Sequence, residues 1–140
     1  AKTYDLFYVE DPLHEEAWEE FAEFTKKFKG YTVGDDLFCT RKKFLEKGVN
    51  IGAANGIIIK PNQAGTITRT VETIKYAKEH NYLTIISHRS QDTCDNLISL
   101  LAIKYEIPIM KIGIAGGERV EKINELIRRC RGMVKWKKAC

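Results

Sequence analysis

Five ionisable side chains recur at a nearly constant spacing along this 140-residue chain: Glu10, Asp35, Lys60, His88 and Lys111. The separations between successive members are 25, 25, 28 and 23 residues. Each of the five lies within or directly after a short apolar run, and the run 83-LTIIS-87, for example, is followed by 88-HRS-90. Such regularity favours one shared site over five unrelated polar loop residues.

The residue types suit one kind of chemistry. The carboxylates of Glu10 and Asp35 are hard oxygen ligands, which Mg²⁺ prefers. If Lys60 and Lys111 lie near one another, their like charges lower the pKa of each, and a lysine so lowered can act as a general base near neutral pH. These four residues therefore indicate a metal ion beside a lysine base.

Arg89 and Ser90 add an anion-binding element. A guanidinium offers a planar pair of donors that matches phosphate or carboxylate, and a hydroxyl adds one more donor. Together with the metal and the base, this clamp predicts removal of a proton next to a carboxylate, with Mg²⁺ stabilising the developing charge. That chemistry is already known from enzymes that combine a lysine base with Mg²⁺.

The elements that must position these residues follow from hydrophobic patterning. Five apolar runs rich in Ile, Val and Tyr are predicted to be strands: 6–9, 31–33, 56–60, 83–87 and 107–114. They lack polar alternation, which is typical of parallel strands covered on both faces. Apolar residues at helical spacing predict helices between and after them: 13–28, 41–48, 66–80, 95–106 and 118–130.

This alternation predicts an α/β fold of about five parallel βα units. Ligands bind at the carboxyl ends of parallel strands, so the five side chains are expected at one end of the sheet. In the first helix, Asp11 followed by Pro12 is interpreted as a cap and first turn. In the last helix, one apolar stripe is predicted to face the core: Val120, Ile123, Leu126 and Ile127.

Composition narrows the function classes. Apolar residues make up 44% of the chain and charged residues 30%, as in globular proteins. No apolar run approaches the ~20 residues of a membrane span, so we expect no membrane role. The first residues lack a signal-peptide layout, and we therefore expect a cytoplasmic protein. The net charge is +4, and basic residues are concentrated in 128-RRCRGMVKWKK-138. We interpret them as solvent-exposed charges near the carboxyl end of a helix, so nucleic acid is not an expected partner.

Five motifs carry a family resemblance: 9-VEDP-12, 33-VGDDL-37, 59-IKPNQAGT-66, 86-ISHRS-90 and 110-MKIG-113. In this order and at this spacing they resemble the successive strand-end motifs of the enolase (phosphopyruvate hydratase) family. The family interconverts 2-phosphoglycerate and phosphoenolpyruvate using Mg²⁺, so the resemblance implies a small phosphorylated carboxylate as the ligand of this chain.

The resemblance also implies a role for each site residue. Glu10 and Asp35 match ligands of Mg²⁺, and Lys60 matches the base that removes the carbon-bound proton. Four others match substrate-binding residues, of which the first two contact phosphate: Arg89, Ser90, His88 and Lys111.

The resemblance covers only the last five strand–helix units of an eight-stranded barrel. It implies that residues 1–140 form one partial-barrel domain with a basic tail at 132–140. In the family, the other units supply a third carboxylate ligand, an acid–base glutamate and a mobile loop, so we expect this chain to be inactive alone. Because five strands leave exposed sheet edges, we expect a homo-oligomer or a partner chain or segment that completes the barrel. The second hypothesis is a non-catalytic anion-binding or assembly module of enolase descent.

Overall fold

A computed structural model describes residues 4–131 of the chain, and the predicted basic tail at 132–140 lies outside the described residues. The elements in chain order are β1 (Tyr8–Glu10), α1 (Trp18–Lys27), β2 (Tyr31–Gly34), α2 (Lys42–Ile51), β3 (Gly56–Ile59), α3 (Pro61–Ala64), α4 (Ile67–Glu79), β4 (Leu83–Ser87), α5 (Leu97–Lys104), β5 (Ile109–Lys111) and α6 (Gly117–Cys130). Within residues 4–131, no helix is both long and apolar enough to cross a membrane.

The five strands form one parallel sheet in sequence order, β1-β2-β3-β4-β5. Tyr8 pairs with Tyr31 at one edge, and Ser87 pairs with Lys111 at the other. A helix follows every strand, which is the connection that parallel neighbours require. The predicted α/β fold of five parallel βα units is therefore confirmed.

The sheet is strongly curved. At the usual spacing of about 4.8 Å between strands, a flat sheet would separate β1 from β5 by about 19 Å. That distance exceeds the combined reach of a glutamate and a lysine side chain, yet Lys111 at the end of β5 hydrogen-bonds Glu10 at the end of β1. The strands therefore form a half-barrel whose carboxyl ends converge.

The core has two parts because successive strand residues point to opposite faces. Ile57 and Ile59 of β3 belong to the larger cluster, which packs against helix residues such as Phe21 and Ile74. Ile58, between them, joins a smaller cluster on the other face of the sheet. Burial on both faces explains the uninterrupted apolar strands and leaves the polar strand ends as the place for chemistry.

The first helix begins later than predicted, at Trp18. Asp11 is not its cap: Asp11 has a positive φ of 37° and its carboxylate binds backbone N–H groups of the β2–α2 loop. The sequence signal of an acid followed by proline was overridden by this contact with a segment more than 20 residues away. The short helix α3, which begins at Pro61 directly after Lys60, was not predicted.

The last helix, α6, buries a different face from the one predicted. Val120 and Ile127 are 38% and 57% exposed, whereas Lys122 and Glu125 are buried. Both buried residues have polar partners. The backbone carbonyl of Lys122 accepts a hydrogen bond from the hydroxyl of Ser99, and the carboxylate of Glu125 forms ion pairs with arginines of its own helix. Part of the apolar stripe of α6 is thus left at the surface.

Candidate active site at the carboxyl ends of the strands

The parallel register brings the predicted site residues to one edge of the sheet. Glu10 and Lys111 end the two outermost strands, while Asp35 and Lys60 directly follow β2 and β3. His88 follows β4, and its N–H donates to the carbonyl of Lys111 at 3.1 Å. Arg89 and Ser90 continue from His88, so all seven predicted residues meet at this edge.

Glu10 and Lys111 form an ion pair across the half-barrel. Lys111 Nζ donates to Glu10 Oε1 at 2.6 Å and to Oε2 at 2.8 Å. Partial burial acts to lower the pKa of Lys111, but the hydrogen bond and the charge of Glu10 outweigh it and raise the pKa above its ordinary value. The expected lowering by a neighbouring lysine is therefore wrong for Lys111, because its nearest charged partner is a carboxylate.

Asp35 and Lys60 form a second, more buried ion pair. Asp35 is only 6% exposed, and its Oδ2 accepts a hydrogen bond from Lys60 Nζ. The other carboxylate oxygen, Oδ1, is buried and has no hydrogen-bond partner within residues 4–131. A buried oxygen without a partner is energetically costly, and a cation would satisfy it.

Asp11 holds the loop that carries Asp35. Its Oδ1 accepts a hydrogen bond from the N–H of Asp35 at 2.9 Å, and its Oδ2 accepts one from the N–H of Asp36 at 2.8 Å. Burial raises the pKa of Asp11, and the negative charges of Asp35 and Asp36 raise it further. The two backbone hydrogen bonds act in the opposite direction, but the net shift of the pKa is upward. Asp11 therefore positions the neighbouring carboxylates through the backbone.

The donor set fits a hard divalent cation. Asp11, Asp35 and Asp36 each place one carboxylate oxygen within 4.8 Å of the others, and Mg²⁺ prefers such oxygens. Both oxygens of Asp11 already accept hydrogen bonds from backbone amides, so the atom best placed as a ligand is Oδ1 of Asp35, which has no partner within the described part of the chain. Glu10 would have to exchange its lysine partner for the ion.

A cleft of about 480 Å³ opens beside these ion pairs. Its walls are formed by Asp36, Lys60, Ser87, His88, Arg89, Ser90, Lys111 and Arg119. Glu10 and Asp35 do not line it, but each bonds to a lysine that does. A larger cavity of about 650 Å³, between α2 and the α3–α4 region, includes none of the seven predicted residues. The candidate site is therefore identified by the predicted residues that meet there and not by the size of its cavity.

His88 lines the cleft as a neutral imidazole. Burial lowers the pKa of His88 below its ordinary value, and the positive charge of Arg119 lowers it further. Its Nδ1 is buried without a hydrogen-bond partner in the part of the chain that the structure describes. At neutral pH the side chain of His88 therefore contributes a hydrogen-bonding group and no positive charge.

Arg119 is a cleft residue that the sequence reasoning missed. It lies in the first turn of α6, where its Nη1 donates to the carbonyl of Ala115 at 3.1 Å. Its side chain packs over Gly113, where an added Cβ would come within 2.6 Å of Arg119 Cδ. The only available signal was an arginine close behind the last strand, in 115-AGGER-119, without the regular spacing of the other five.

Arg89 and Ser90 stand at the start of the β4–α5 loop. The N–H of Arg89 donates to Asp92 Oδ2 at 3.2 Å, which fixes the backbone at this position. The Arg89 guanidinium makes no hydrogen bond or ion pair with residues 4–131, whereas the two cleft lysines are both paired with acids. Arg89 is therefore well placed to meet an anion.

Comparison with known proteins agrees with this architecture. Residues 1–135 match the family described as "Enolase, C-terminal TIM barrel domain". The chain is 48% identical over 128 residues to the enolase of Archaeoglobus fulgidus, an alignment that covers 91% of this chain and 32% of that protein. For the enolase of Methanosphaera stadtmanae the identity is 52% over 128 residues, covering 90% and 31% respectively.

The enolase of Pyrobaculum aerophilum is 47% identical over 136 residues, which covers 96% of this chain and 32% of that protein. The chain thus spans about a third of the length of the curated relatives it matches. The family match extends over nearly all of its residues, and its five parallel strands curve into a half-barrel. The chain therefore belongs to the family of the enolase C-terminal TIM barrel domain.

Proposed function

We propose that this chain supplies one side of a Mg²⁺-dependent phosphopyruvate hydratase site, which interconverts 2-phosphoglycerate and phosphoenolpyruvate. The observation that carries the proposal is that two lysines and the 88-HRS-90 segment line one cleft, and that each lysine is paired with an acid beside it. The relatives named enolase support the same reaction, although this chain spans only about a third of their length.

In this proposal Glu10 and Asp35 hold the metal. Bound Mg²⁺ would supply positive charge beside the substrate carboxylate. The lysines now paired with these acids neutralise the same carboxylates, so binding of the ion would free the ammonium groups of Lys60 and Lys111, which already line the cleft. Lys60 would then take the carbon-bound proton, and Lys111 would contact the substrate.

The other wall of the cleft would bind the phosphate. The guanidinium of Arg89 and the hydroxyl of the exposed Ser90 are suitable donors. Arg119 adds a second positive charge, and the neutral imidazole of His88 adds a hydrogen-bonding group without further charge. In this proposal the two acids hold the metal, and the donors of the 88–90 segment together with Arg119 hold the phosphate.

Catalysis in this proposal requires additional strands. We propose that residues 1–140 form one partial-barrel domain, since a (β/α)₈ barrel has eight strands and this sheet has five. Large apolar side chains close in sequence to the two edge strands are exposed: Tyr4 and Phe7 before β1, and Ile114 after β5. Another chain, another segment or a second copy would cover them and complete the site.

A specific observation also favours the alternative, a non-catalytic anion-binding or assembly module. Two of the acids near the cleft, Glu10 and Asp35, are already neutralised by lysines. Phosphate could therefore bind beside Arg89 without any metal, and the half-barrel could serve only for assembly.

A complementation assay separates the two. This chain is mixed with a polypeptide that corresponds to the unmatched part of the Archaeoglobus fulgidus enolase, and turnover of 2-phosphoglycerate is followed with Mg²⁺ present. We expect no turnover by either part alone, turnover by the mixture, and none when the chain carries Lys60→Ala. A stable complex without turnover would refute the catalytic proposal and favour the assembly module.

A further inference from the structure

Lys122, in the middle of α6, is completely buried. Its Nζ donates to the backbone carbonyls of Thr93 at 2.8 Å, Asp95 at 3.1 Å and Glu118 at 2.8 Å. A lysine ammonium has three donors, and all three are used. Because burying a charge is costly unless it is fully hydrogen-bonded, this arrangement ties Lys122 firmly to the 93–95 segment of the β4–α5 loop.

The same ammonium is connected to the backbone of Arg89 through one carboxylate. Asp92 Oδ1 lies 3.6 Å from Lys122 Nζ and accepts a hydrogen bond from the N–H of Thr93 at 2.8 Å. The other oxygen, Oδ2, accepts the hydrogen bond of 3.2 Å from the N–H of Arg89. Two contacts therefore lead from a fully buried charge to Arg89, a residue of the cleft wall.

The lysine is itself held in place by the helix in front of it. The hydroxyl of Ser99, a buried residue of α5, donates to the backbone carbonyl of Lys122 at 2.8 Å. α5 and α6 are thereby joined beneath the loop, and the loop is joined to both of them. An apolar side chain could fill the volume of Lys122 but would leave two loop carbonyls without their donor.

We propose that Lys122 is a positioning residue, which fixes the 92–95 segment and, through Asp92, holds Arg89 and Ser90 at the phosphate side of the cleft. This inference rests on the proposed anion-binding role of Arg89 and Ser90. It extends the functional unit from the strand ends to the interior of α6, the helix that also supplies Arg119.

The decisive variant is Asp92→Ala. Removing a negative charge near the cleft should strengthen phosphate binding if charge alone matters. If the link matters, loss of the Arg89 backbone hydrogen bond should weaken binding about fivefold. The probe is inorganic phosphate, titrated against the whole chain by NMR. In an Arg89→Ala background the same substitution should no longer weaken binding fivefold, because that weakening acts mainly through Arg89.

A second measurement does not depend on phosphate. Hydrogen exchange of the Arg89 N–H should be faster in Asp92→Ala and in Lys122→Met than in the control Lys78→Met, a lysine that donates to the carbonyl of Tyr105 away from the cleft. If Lys122→Met does not fold, Asp92→Ala carries the test alone.

The outcomes separate this inference from the proposed function. Phosphate binding by Asp92→Ala that equals or exceeds wild type, or unchanged exchange of the Arg89 N–H, would overturn the positioning role. Absence of Arg89-dependent binding in the wild type would overturn the proposed anion clamp, and the exchange measurement would still decide whether Lys122 holds the loop.

Discussion

Replacing Lys60 with methionine is expected to destabilise the protein and to make its stability more dependent on Mg²⁺. Methionine keeps much of the lysine stem but removes the ammonium that neutralises Asp35. Asp35 is 6% exposed, and its Oδ1 already lacks a partner among residues 4–131. The substitution would therefore leave a buried carboxylate without the ammonium that balances its charge.

The magnitude follows from the burial of the pair. Removing one partner of a buried ion pair costs about 3–5 kcal/mol. The side chains of Lys60 and Asp35 keep 14% and 8% exposure, so water can partly solvate the remaining acid. We therefore expect a loss near the lower end, about 3 kcal/mol. At about 4 °C per kcal/mol for a chain of this size, Tm should fall by about 12 °C.

Mg²⁺ should restore part of the lost stability, because a cation bound to Asp35 would neutralise the carboxylate as the ammonium of Lys60 does in the wild type. In the wild type the ion has to displace Lys60, whereas in Lys60→Met the carboxylate is free. The gain in unfolding free energy on adding Mg²⁺ should therefore be larger for the variant than for the wild type.

Urea unfolding with and without Mg²⁺ measures both effects, and fluorescence reports on Trp18, which packs against Phe38 in the core. Lys42→Met is the matched control, because Lys42 lies 3.6 Å from Glu46 on an exposed helix surface. Such a pair contributes about 0.5 kcal/mol or less. The double variant Lys60→Met with Asp35→Asn should regain most of the lost stability, because no buried charge remains.

Two results would refute the reasoning. If Lys60→Met is as stable as Lys42→Met, the Asp35–Lys60 pair is not a buried ion pair in solution. If Mg²⁺ stabilises the variant no more than the wild type, Asp35 is not a ligand for the ion, and the proposed metal site loses its best-placed atom.

Three further predictions concern binding, pH and assembly. Arg89→Ala should weaken phosphate binding about tenfold to a hundredfold in titration calorimetry, since a hydrogen bond to a charged group contributes about 1.5–3 kcal/mol. Burial and the charge of Arg119 lower the pKa of His88 in the folded state below the unfolded value of 6.5. The folded state therefore binds fewer protons than the unfolded state, and the free energy of unfolding should fall as the pH drops through 6.5. His88→Asn should remove this part of the pH dependence. The isolated chain should be a dimer or larger in light scattering at tens of micromolar, and Phe7→Ser, at an exposed position beside β1, should weaken the association.

Each of these has a control and a contrary outcome. Arg41→Ala, an exposed arginine outside the cleft, should bind phosphate like the wild type; equal binding by Arg89→Ala would disprove the clamp. If the free energy of unfolding depends on pH in the same way for wild type and His88→Asn, the pKa of His88 is not lowered in the folded state. A monodisperse wild-type monomer would contradict the edge argument.

The order of the strands and the edge where the site residues gather were predictable from sequence. Apolar runs without alternation indicate strands buried on both faces, and their regular separation by helical segments implies parallel neighbours in chain order. The residue after each run then falls at the same end, which is why Asp35, Lys60 and His88 could be placed together without any contact being known.

The partners of those residues could not be predicted, because pairing depends on curvature. Glu10 and Lys111 are separated by 101 residues and by three intervening strands, and only the bending of the sheet brings them within hydrogen-bonding distance. The same bending gives Lys111 a carboxylate partner, so its pKa rises where the sequence argument expected a fall.

Local signals also failed where a distant contact competed with them. Asp11 has the residue type and neighbour of a helix cap, but two backbone N–H groups from the β2–α2 loop provide two hydrogen bonds for its carboxylate. In α6 the helical period was predicted correctly, whereas the face that turns inward was set by the loop carbonyls that Lys122 satisfies. Sequence alone determined which residues reach the active edge, because that follows from local periodicity; tertiary structure decided which charges meet there, because that follows from distances between segments far apart in the chain.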